Sequence, residues 1–270
     1  MRSQDCGETM VELNKIYNMD CVEGMKQLDD GCIDLTVTSP PYDNLRTYKG
    51  FTWDFESVAK ELYRVTADGG VVVWIVNDAT VDGSETGTSF RQALYFKEIG
   101  FNLHDTMIWH KANCFNFGSN YCYRQAFEYM FVFSKGRPKS INFIRDVRAK
   151  CSGESFNAVN HTSDGVRHLK ENLVVIDEYK KRENVWDIVA ATVNNGHPAV
   201  FPEQLANDHI LSWSNEGDIV LDPFMGSGTT AKMALLNNRK FIGFELAEEY
   251  WEIGNNRVED ILVQLNSALW

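Results

Sequence analysis

Hydrophobic and polar positions in this chain fall into short apolar runs separated by amphipathic or turn-rich stretches. Ile33–Thr38 (IDLTVT) reads as a strand that stops at Ser39-Pro40-Pro41-Tyr42. Two consecutive prolines remove backbone donors and cannot continue a central strand. Phe55–Val65 repeats its apolar positions at helical spacing and is closed by Asp68-Gly69-Gly70. Residues 71–76 (VVVWIV) are apolar without interruption, as expected of a strand covered on both faces. Residues 90–99 read as a helix stopped by Gly100, and 106–110 and 129–133 as further strands. Regular texture returns at Asn184-Val185-Trp186. Beyond it, 202–213, 229–237 and 248–265 read as helices, and Ile219–Asp222 and Lys240–Glu245 as strands. Strands alternating with helices predict an α/β fold built on a doubly wound, mostly parallel sheet.

One stretch breaks this rhythm. Residues 135–183 are polar, basic and irregular, interrupted by Gly136, Pro138, Gly153 and Gly165. They read as a lobe inserted into a main domain formed by 1–134 and 184–270. The chain of 270 residues carries a net charge of −12, which argues against a polyanionic partner until the distribution is considered. Between 135 and 182 there are eleven Lys and Arg against six Asp and Glu, so the basic segment sits on an acidic body. That suits a protein touching phosphates through one lobe, with Lys135, Arg137, Lys139, Arg145, Arg148 and Lys150 as the candidates. An ordinary solvated basic loop has the same composition.

At 44% hydrophobic and 12% aromatic the chain can bury a substantial core, which excludes global disorder. No apolar run approaches the ~18 residues that span a bilayer, and the first thirteen residues lack the apolar stretch of a signal peptide. The expectation is a protein that stays in the cytoplasm, at the nucleoid if nucleic acid is its partner. Six cysteines occur with no CxxC and no Cys/His metal spacing, so reduced thiols and no metal site are expected.

Two constellations carry chemistry. In the first, Ile219–Asp222 runs through Pro223, Phe224, Met225, Gly226, Ser227 and Gly228 into a helix beginning at Thr229. Glycines at the carboxyl end of a strand let the backbone approach a ligand, and the helix behind them offers unpaired N–H groups. The next strand ends in Glu245, about 20 residues on, the spacing at which a carboxylate accepts both hydroxyls of a nucleotide ribose. The turn lacks the third glycine of GxGxxG and any GK[ST], so an adenosine-containing cofactor suits it better than a dinucleotide or triphosphate.

The second is Ser39-Pro40-Pro41-Tyr42. The prolines fix an extended backbone that presents the Ser39 hydroxyl and the Pro40 carbonyl as acceptors, followed by an aromatic ring. Such a set fits methylation of a base amino group, whose lone pair is delocalised into the ring. Acceptors holding both N–H bonds pyramidalise the nitrogen and aim its lone pair at a methyl sulfonium. Tyr42 is placed to stack on a base withdrawn from the duplex.

Together these residues resemble the N4-cytosine/N6-adenine DNA methyltransferases, in the permuted order of the beta group. That group places a (D/N/S)PPY motif before the target-recognition region and FxGxG after it. Here Ser39–Pro40–Pro41–Tyr42 precedes the basic lobe and Phe224-Met225-Gly226-Ser227-Gly228 follows it, and the resemblance extends over most of the chain. It implies a seven-stranded-type methyltransferase sheet with S-adenosylmethionine (AdoMet) across its carboxyl edge and duplex DNA as partner. Target-base flipping is implied as well, with 135–183 reading the sequence. By the same resemblance, His197 to Leu205, including Phe201 and Pro202, looks like the segment enclosing the methionine end of the cofactor. Asn18-Met19-Asp20-Cys21 looks like the adenine-contacting turn, from which Asp20 joins the cofactor set. Trp109, Lys111 and residues 128–133 resemble the lining of the target-base pocket, and Lys111 joins the DNA-contacting candidates. Many relatives form homodimers or accompany a restriction endonuclease, so both are carried as candidate partners. Serine at the first motif position leans towards cytosine in family terms, where aspartate leans towards adenine.

Other readings remain. A C5-cytosine methyltransferase needs a thiolate, usually from a Pro-Cys dipeptide, and no cysteine follows a proline. A zinc deaminase is excluded by the missing HxE…PCxxC. A protein or RNA amino-methyltransferase usually carries the cofactor motif first. An N6-adenine enzyme is the principal alternative. A catalytically silent DNA-binding module on the same scaffold is a further one, although Ser39, both prolines and the glycine turn are intact.

Overall fold

A central sheet receives the apolar runs at 33–38, 71–76, 129–133, 219–222 and 240–245 and sets them side by side. The computed structural model describes residues 11–41, 53–113, 122–161, 167–190 and 202–267. The elements begin with β1 (Lys15–Asn18), α1 (Cys21–Met25), β2 (Ile33–Thr38), α2 (Phe55–Val65) and β3 (Thr66–Val76). A short hairpin of β4 (Thr80–Val81) and β5 (Ser84–Glu85) precedes α3 (Thr88–Glu98), β6 (Asn102–Lys111) and β7 (Phe127–Ser134). Four strands follow: β8 (Arg145–Arg148), β9 (Ser155–His161), β10 (Arg167–Val175) and β11 (Tyr179–Lys181). The chain continues with β12 (Val185–Ile188), α4 (Glu203–Trp213), β13 (Ile219–Asp222), α5 (Thr229–Leu236), β14 (Lys240–Glu245) and α6 (Glu248–Ser267).

Eight strands pair in the order β1-β14-β13-β2-β3-β7-β6-β12. From β1 to β3 all neighbours are parallel, whereas β7 runs antiparallel to both β3 and β6. The uninterrupted apolar run of β3 explains the double winding. Val71, Val73 and Ile75 join one buried cluster with residues of α4, α5 and α6. Val72, Trp74 and Val76 join the opposite cluster with residues of α1, α2 and α3. Side chains alternate across a strand, so only a fully apolar run can supply both layers. After β2 the chain adds β3 on one side, and later returns to lay β13 on the other. Crevices at such a reversal, outside the carboxyl ends of the strands, are where open α/β sheets bind ligands.

Residues Phe143–Glu183 form a second compact unit. It contains two antiparallel ribbons, β8 with β11 and β9 with β10, where sequence texture suggested irregular chain. Every residue of β8 and β11 is exposed, so neither strand shows the alternation that would reveal it. The unit also starts eight residues later than the break in texture at 135, because 135–142 are bonded into the large unit. Gly69 N donates to Lys135 O at 2.7 Å, Lys139 N to Gly69 O at 2.9 Å, and Asn142 N to Ser212 O at 2.8 Å.

Candidate active site

Asp20, Glu245, Asp222 and Ser39 stand at or just beyond the carboxyl ends of four adjacent strands, β1, β14, β13 and β2. The centre of this row is Asp222, which is 1% exposed. Its carboxylate accepts from Thr38 Oγ1 and Thr230 Oγ1, both at 2.7 Å, and from Phe224 N at 3.0 Å. Burial pushes its pKa up to about 6 even though all three hydrogen bonds pull it down. Thr38 immediately precedes the Ser-Pro-Pro turn and Thr230 lies in the first turn of α5. One carboxylate therefore ties the exit of β2 to the exit of β13.

The glycine turn is held from two sides. Gly226 N donates to Glu245 Oε2 and Ala247 N to Glu245 Oε1, each at 2.8 Å. Burial raises the Glu245 pKa, while these amides oppose the rise. Asn18 Nδ2 donates to Glu245 O at 2.9 Å and Leu246 O at 3.2 Å, fixing β1 against the same strand end. Behind the turn, Arg257 Nη1 donates to Ser227 O at 3.1 Å and Thr229 Oγ1 at 3.2 Å. Gly228 caps α5 at φ +80°, and a Cβ there would stand 3.2 Å from Gly254 Cα and O in α6. Glycine is thus required twice, by the left-handed backbone and by the touching helices.

This donor set fits AdoMet. A carboxylate has about four lone-pair sites, so with one amide on each oxygen Glu245 retains an acceptor position on both for a vicinal diol. Residues 222–229 include no lysine or arginine, and the neighbouring carboxylates Asp222 and Glu245 favour a cationic ligand over a phosphorylated one. Phe224 packs edge-on against Trp53 with ring centroids 5.2 Å apart, giving the turn an aromatic wall.

Pro40 is buried at the end of β2, and Ser39 and Pro41 are half-buried. Tyr42 and Phe201 lie outside the described residues. Pro202 is buried and caps α4 through its backbone, its carbonyl accepting from Leu205 N at 3.0 Å. Asp20 serves as the N-cap of α1, accepting from Val22 N at 2.9 Å and Glu23 N at 3.1 Å.

Three basic candidates have structural duties within the large unit. Lys135 Nζ donates to Tyr63 O and Thr66 O, both at 2.9 Å, and sits 4.8 Å from the Tyr63 ring. Lys139 pairs with Asp34. Lys111 pairs with the buried Glu128 at 2.5 Å and lies 5.2 Å from the ring of Trp109. Trp109 is itself buried, donating to Ile188 O at 2.9 Å. Within the second unit Arg145 pairs with Asp177 at 3.4 Å and Arg148 with Glu178 at 3.7 Å, all of these side chains being exposed. Arg182 forks onto Asp146 at distances of 2.5–2.9 Å. Arg137 and Lys150 are exposed. Much of the basic surplus is therefore matched locally by acids.

Sequence reasoning did not select Thr38, Thr230, Glu203 or Arg257 as site residues. The threonines flank the two motifs directly, a usable signal. Arg257 lies nearly thirty residues beyond the turn and carries no local mark.

A family model described as DNA methylase matches residues 33–256. Over 249 residues the chain is 56% identical to the orphan methyltransferase M.BamHII of Bacillus amyloliquefaciens, covering 88% of this chain and 93% of that protein. It is 25% identical over 298 residues to the type II methyltransferase M.SmaI of Serratia marcescens, covering 95% and 94%. Among solved structures, the cytosine-N4-specific PvuII DNA methyltransferase superposes with a TM-score of 0.64 at 20% identity, over 93% of this chain and 90% of that one. M1.HpyAVI in complex with SAM superposes at 0.61 and 22% identity, over 90% and 98%. These two likenesses are likenesses of fold.

Proposed function

The chain belongs to the N6/N4 DNA methylase family and is a DNA methyltransferase that uses AdoMet; on that premise we propose that it methylates N4 of a cytosine flipped out of duplex DNA. Bound AdoMet supplies a methyl group already activated on a sulfonium, so no covalent enzyme intermediate is needed. The protein's task is to present the amino nitrogen in line. Ser39 Oγ and the Pro40 carbonyl accept hydrogen bonds from the two amino hydrogens, drawing the lone pair out of conjugation and towards the methyl group, and the one proton displaced from nitrogen passes to solvent. Tyr42 stacks on the flipped base. Glu245 would accept the ribose hydroxyls, and the Phe224–Gly228 turn would hold the adenosine.

The observation carrying this reading is the Asp222 bridge between Thr38 and Thr230. It locks the acceptor turn and the cofactor turn to adjacent strand ends, a fixed relation that in-line methyl transfer requires. The preference for cytosine rests on Ser39, where adenine enzymes of the family lean to aspartate. The PvuII neighbour is cytosine-N4-specific, so the fold accommodates that chemistry.

For DNA binding we carry forward Arg137 and Lys150, with Arg145 and Arg148 exchanging their exposed acidic partners for phosphates. Lys135 and Lys139 are withdrawn, because using them would break the bonds that hold 135–142 to the large unit. Lys111 is withdrawn as a phosphate ligand for its pairing with buried Glu128.

The test is to incubate the protein with AdoMet and unmethylated genomic DNA, then analyse the nucleosides by mass spectrometry. N4-methylcytosine supports the proposal. N6-methyladenine overturns the base assignment, and neither nucleoside overturns the reaction.

A further inference from the structure

Glu203 is the first residue of α4 and directly follows Phe201-Pro202, the segment resembling the cover of the cofactor's methionine end. Its Oε1 meets Lys232 of α5 at 2.7 Å and also pairs with Arg257 of α6. Burial opposes ionisation of Glu203, but the two cations outweigh it and hold its pKa below the ordinary value. With its other terminal nitrogen Arg257 holds Ser227 O and Thr229 Oγ1, at opposite sides of Gly228. One guanidinium therefore joins the start of α4 to the back of the cofactor turn.

We propose that Arg257 is a positioning residue for AdoMet: it braces residues 227–229 from behind, and Glu203 orients it, so that the cofactor turn and the start of α4 are set as one piece. The proposal rests on the reading that residues 222–229 and Glu245 hold AdoMet. Arginine is required because its planar fork engages partners in two directions, which a lysine ammonium at the same reach cannot reproduce. The turn's other face is fixed by Gly226 N on Glu245. Without Arg257 residues 227–229 would lose their side-chain brace, while the first half of the turn would stay held by Met225 N on Phe244 O at 2.9 Å and Gly226 N on Glu245.

Arg64 provides a matched control. Its side chain is 29% exposed against 26% for Arg257, and it too bridges carboxylates and backbone, donating to Met25 O at 2.6 Å and Leu28 O at 2.8 Å. None of its partners belongs to the proposed site.

The experiment measures AdoMet affinity by calorimetry and, separately, kcat at saturating AdoMet and the Tm of the cofactor-free protein, for Arg257→Met, Arg257→Lys, Glu203→Gln and Arg64→Met. Both Arg257 variants should weaken AdoMet by about tenfold, with kcat at saturation within about twofold of wild type. Glu203→Gln keeps an acceptor for Arg257 but loses the charge, and should give a smaller loss in the same direction. Arg64→Met should lower Tm while leaving AdoMet affinity unchanged. Wild-type affinity in Arg257→Lys would show that charge alone suffices and would overturn the proposal. An equal affinity loss in Arg64→Met would reduce the effect to general destabilisation, also overturning it. If Arg257→Met fails to fold, Arg257→Lys and Glu203→Gln decide. No measurable AdoMet binding by the wild type would instead overturn the functional reading beneath it.

Discussion

Gly228 and Gly83 share a left-handed φ of +80° and differ in what surrounds them. Around Gly83 nothing lies within 4 Å of a would-be Cβ; at Gly228 the Cα and O of Gly254 lie at 3.2 Å. Replacing either with alanine forces a left-handed conformation costing about 1–2 kcal/mol. At Gly228 the methyl also presses on a helix backbone that cannot rotate away, adding about 1–3 kcal/mol. The entropy that alanine removes from the unfolded chain is the same at both sites and cancels in the comparison. Gly228→Ala should therefore lose about 1–3 kcal/mol more than Gly83→Ala. Urea unfolding in the absence of cofactor measures both, and an unchanged m value confirms that the same transition is compared. AdoMet affinity should fall in Gly228→Ala, whose turn is displaced, and remain unchanged in Gly83→Ala. Equal stability losses would mean that the close approach of α5 and α6 does not set the turn, and the account of Gly228 would be wrong.

Four further outcomes are expected. Tyr42→Ala should lower kcat far more than it weakens AdoMet, because its proposed role is stacking on the base; equal losses in a kinetic and calorimetric comparison refute stacking. Asp222 titrates near 6 in the folded chain against 3.8 for an ordinary aspartate, so its ionised form costs stability that is absent below pH 4 and complete above pH 6. Asp222→Asn should then gain on wild type by an amount on the order of 3 kcal/mol as pH rises through that window, and a flat difference in unfolding free energy contradicts this. Neutralising Arg137 and Lys150 should flatten the salt dependence of DNA binding, by roughly 0.9 in the log–log slope for each phosphate no longer neutralised. Lys135→Ala should lower Tm and leave that slope unchanged; the reverse pattern would return Lys135 to the interface.

At prolines and the Asp54 cap the elements the sequence predicts coincide with those observed, whereas Asp68-Gly69-Gly70, read as a stop, lies inside β3. Ile33–Thr38 ends at the proline pair, Phe55–Val65 begins at the Asp54 N-cap, and Ile219–Asp222 ends before Pro223. Short strands with neither such marks nor an apolar run are illegible. β1 has four residues and one buried side chain, and β8 and β11 have none. The antiparallel course of β7 is also invisible, because FEYMFVFS has the same composition whichever way it runs. The basic lobe is less legible for another reason. Counting charges locates Lys135, Lys139 and Arg145 but not Tyr63 O, Asp34 or Asp177, which decide whether each is available to a phosphate. Surplus charge is a property of composition, and available charge is a property of pairing.

The motifs themselves were legible because their chemistry is local, whereas the residues that make them one site are not. Thr38 and Asp222 stand 184 positions apart, yet bond at 2.7 Å because β13 lies parallel beside β2 with Leu221 opposite Thr36. That register alone brings both strand ends to the same edge. A chain that met the cofactor strand first and the Ser-Pro-Pro strand second would build the same site, provided the two strands paired in this register. Motif order therefore records the path of the connections, while catalytic competence depends on β2–β13 pairing. Disturbing that pairing at the bridge should damage acceptor geometry and cofactor geometry together, even though each motif remains intact.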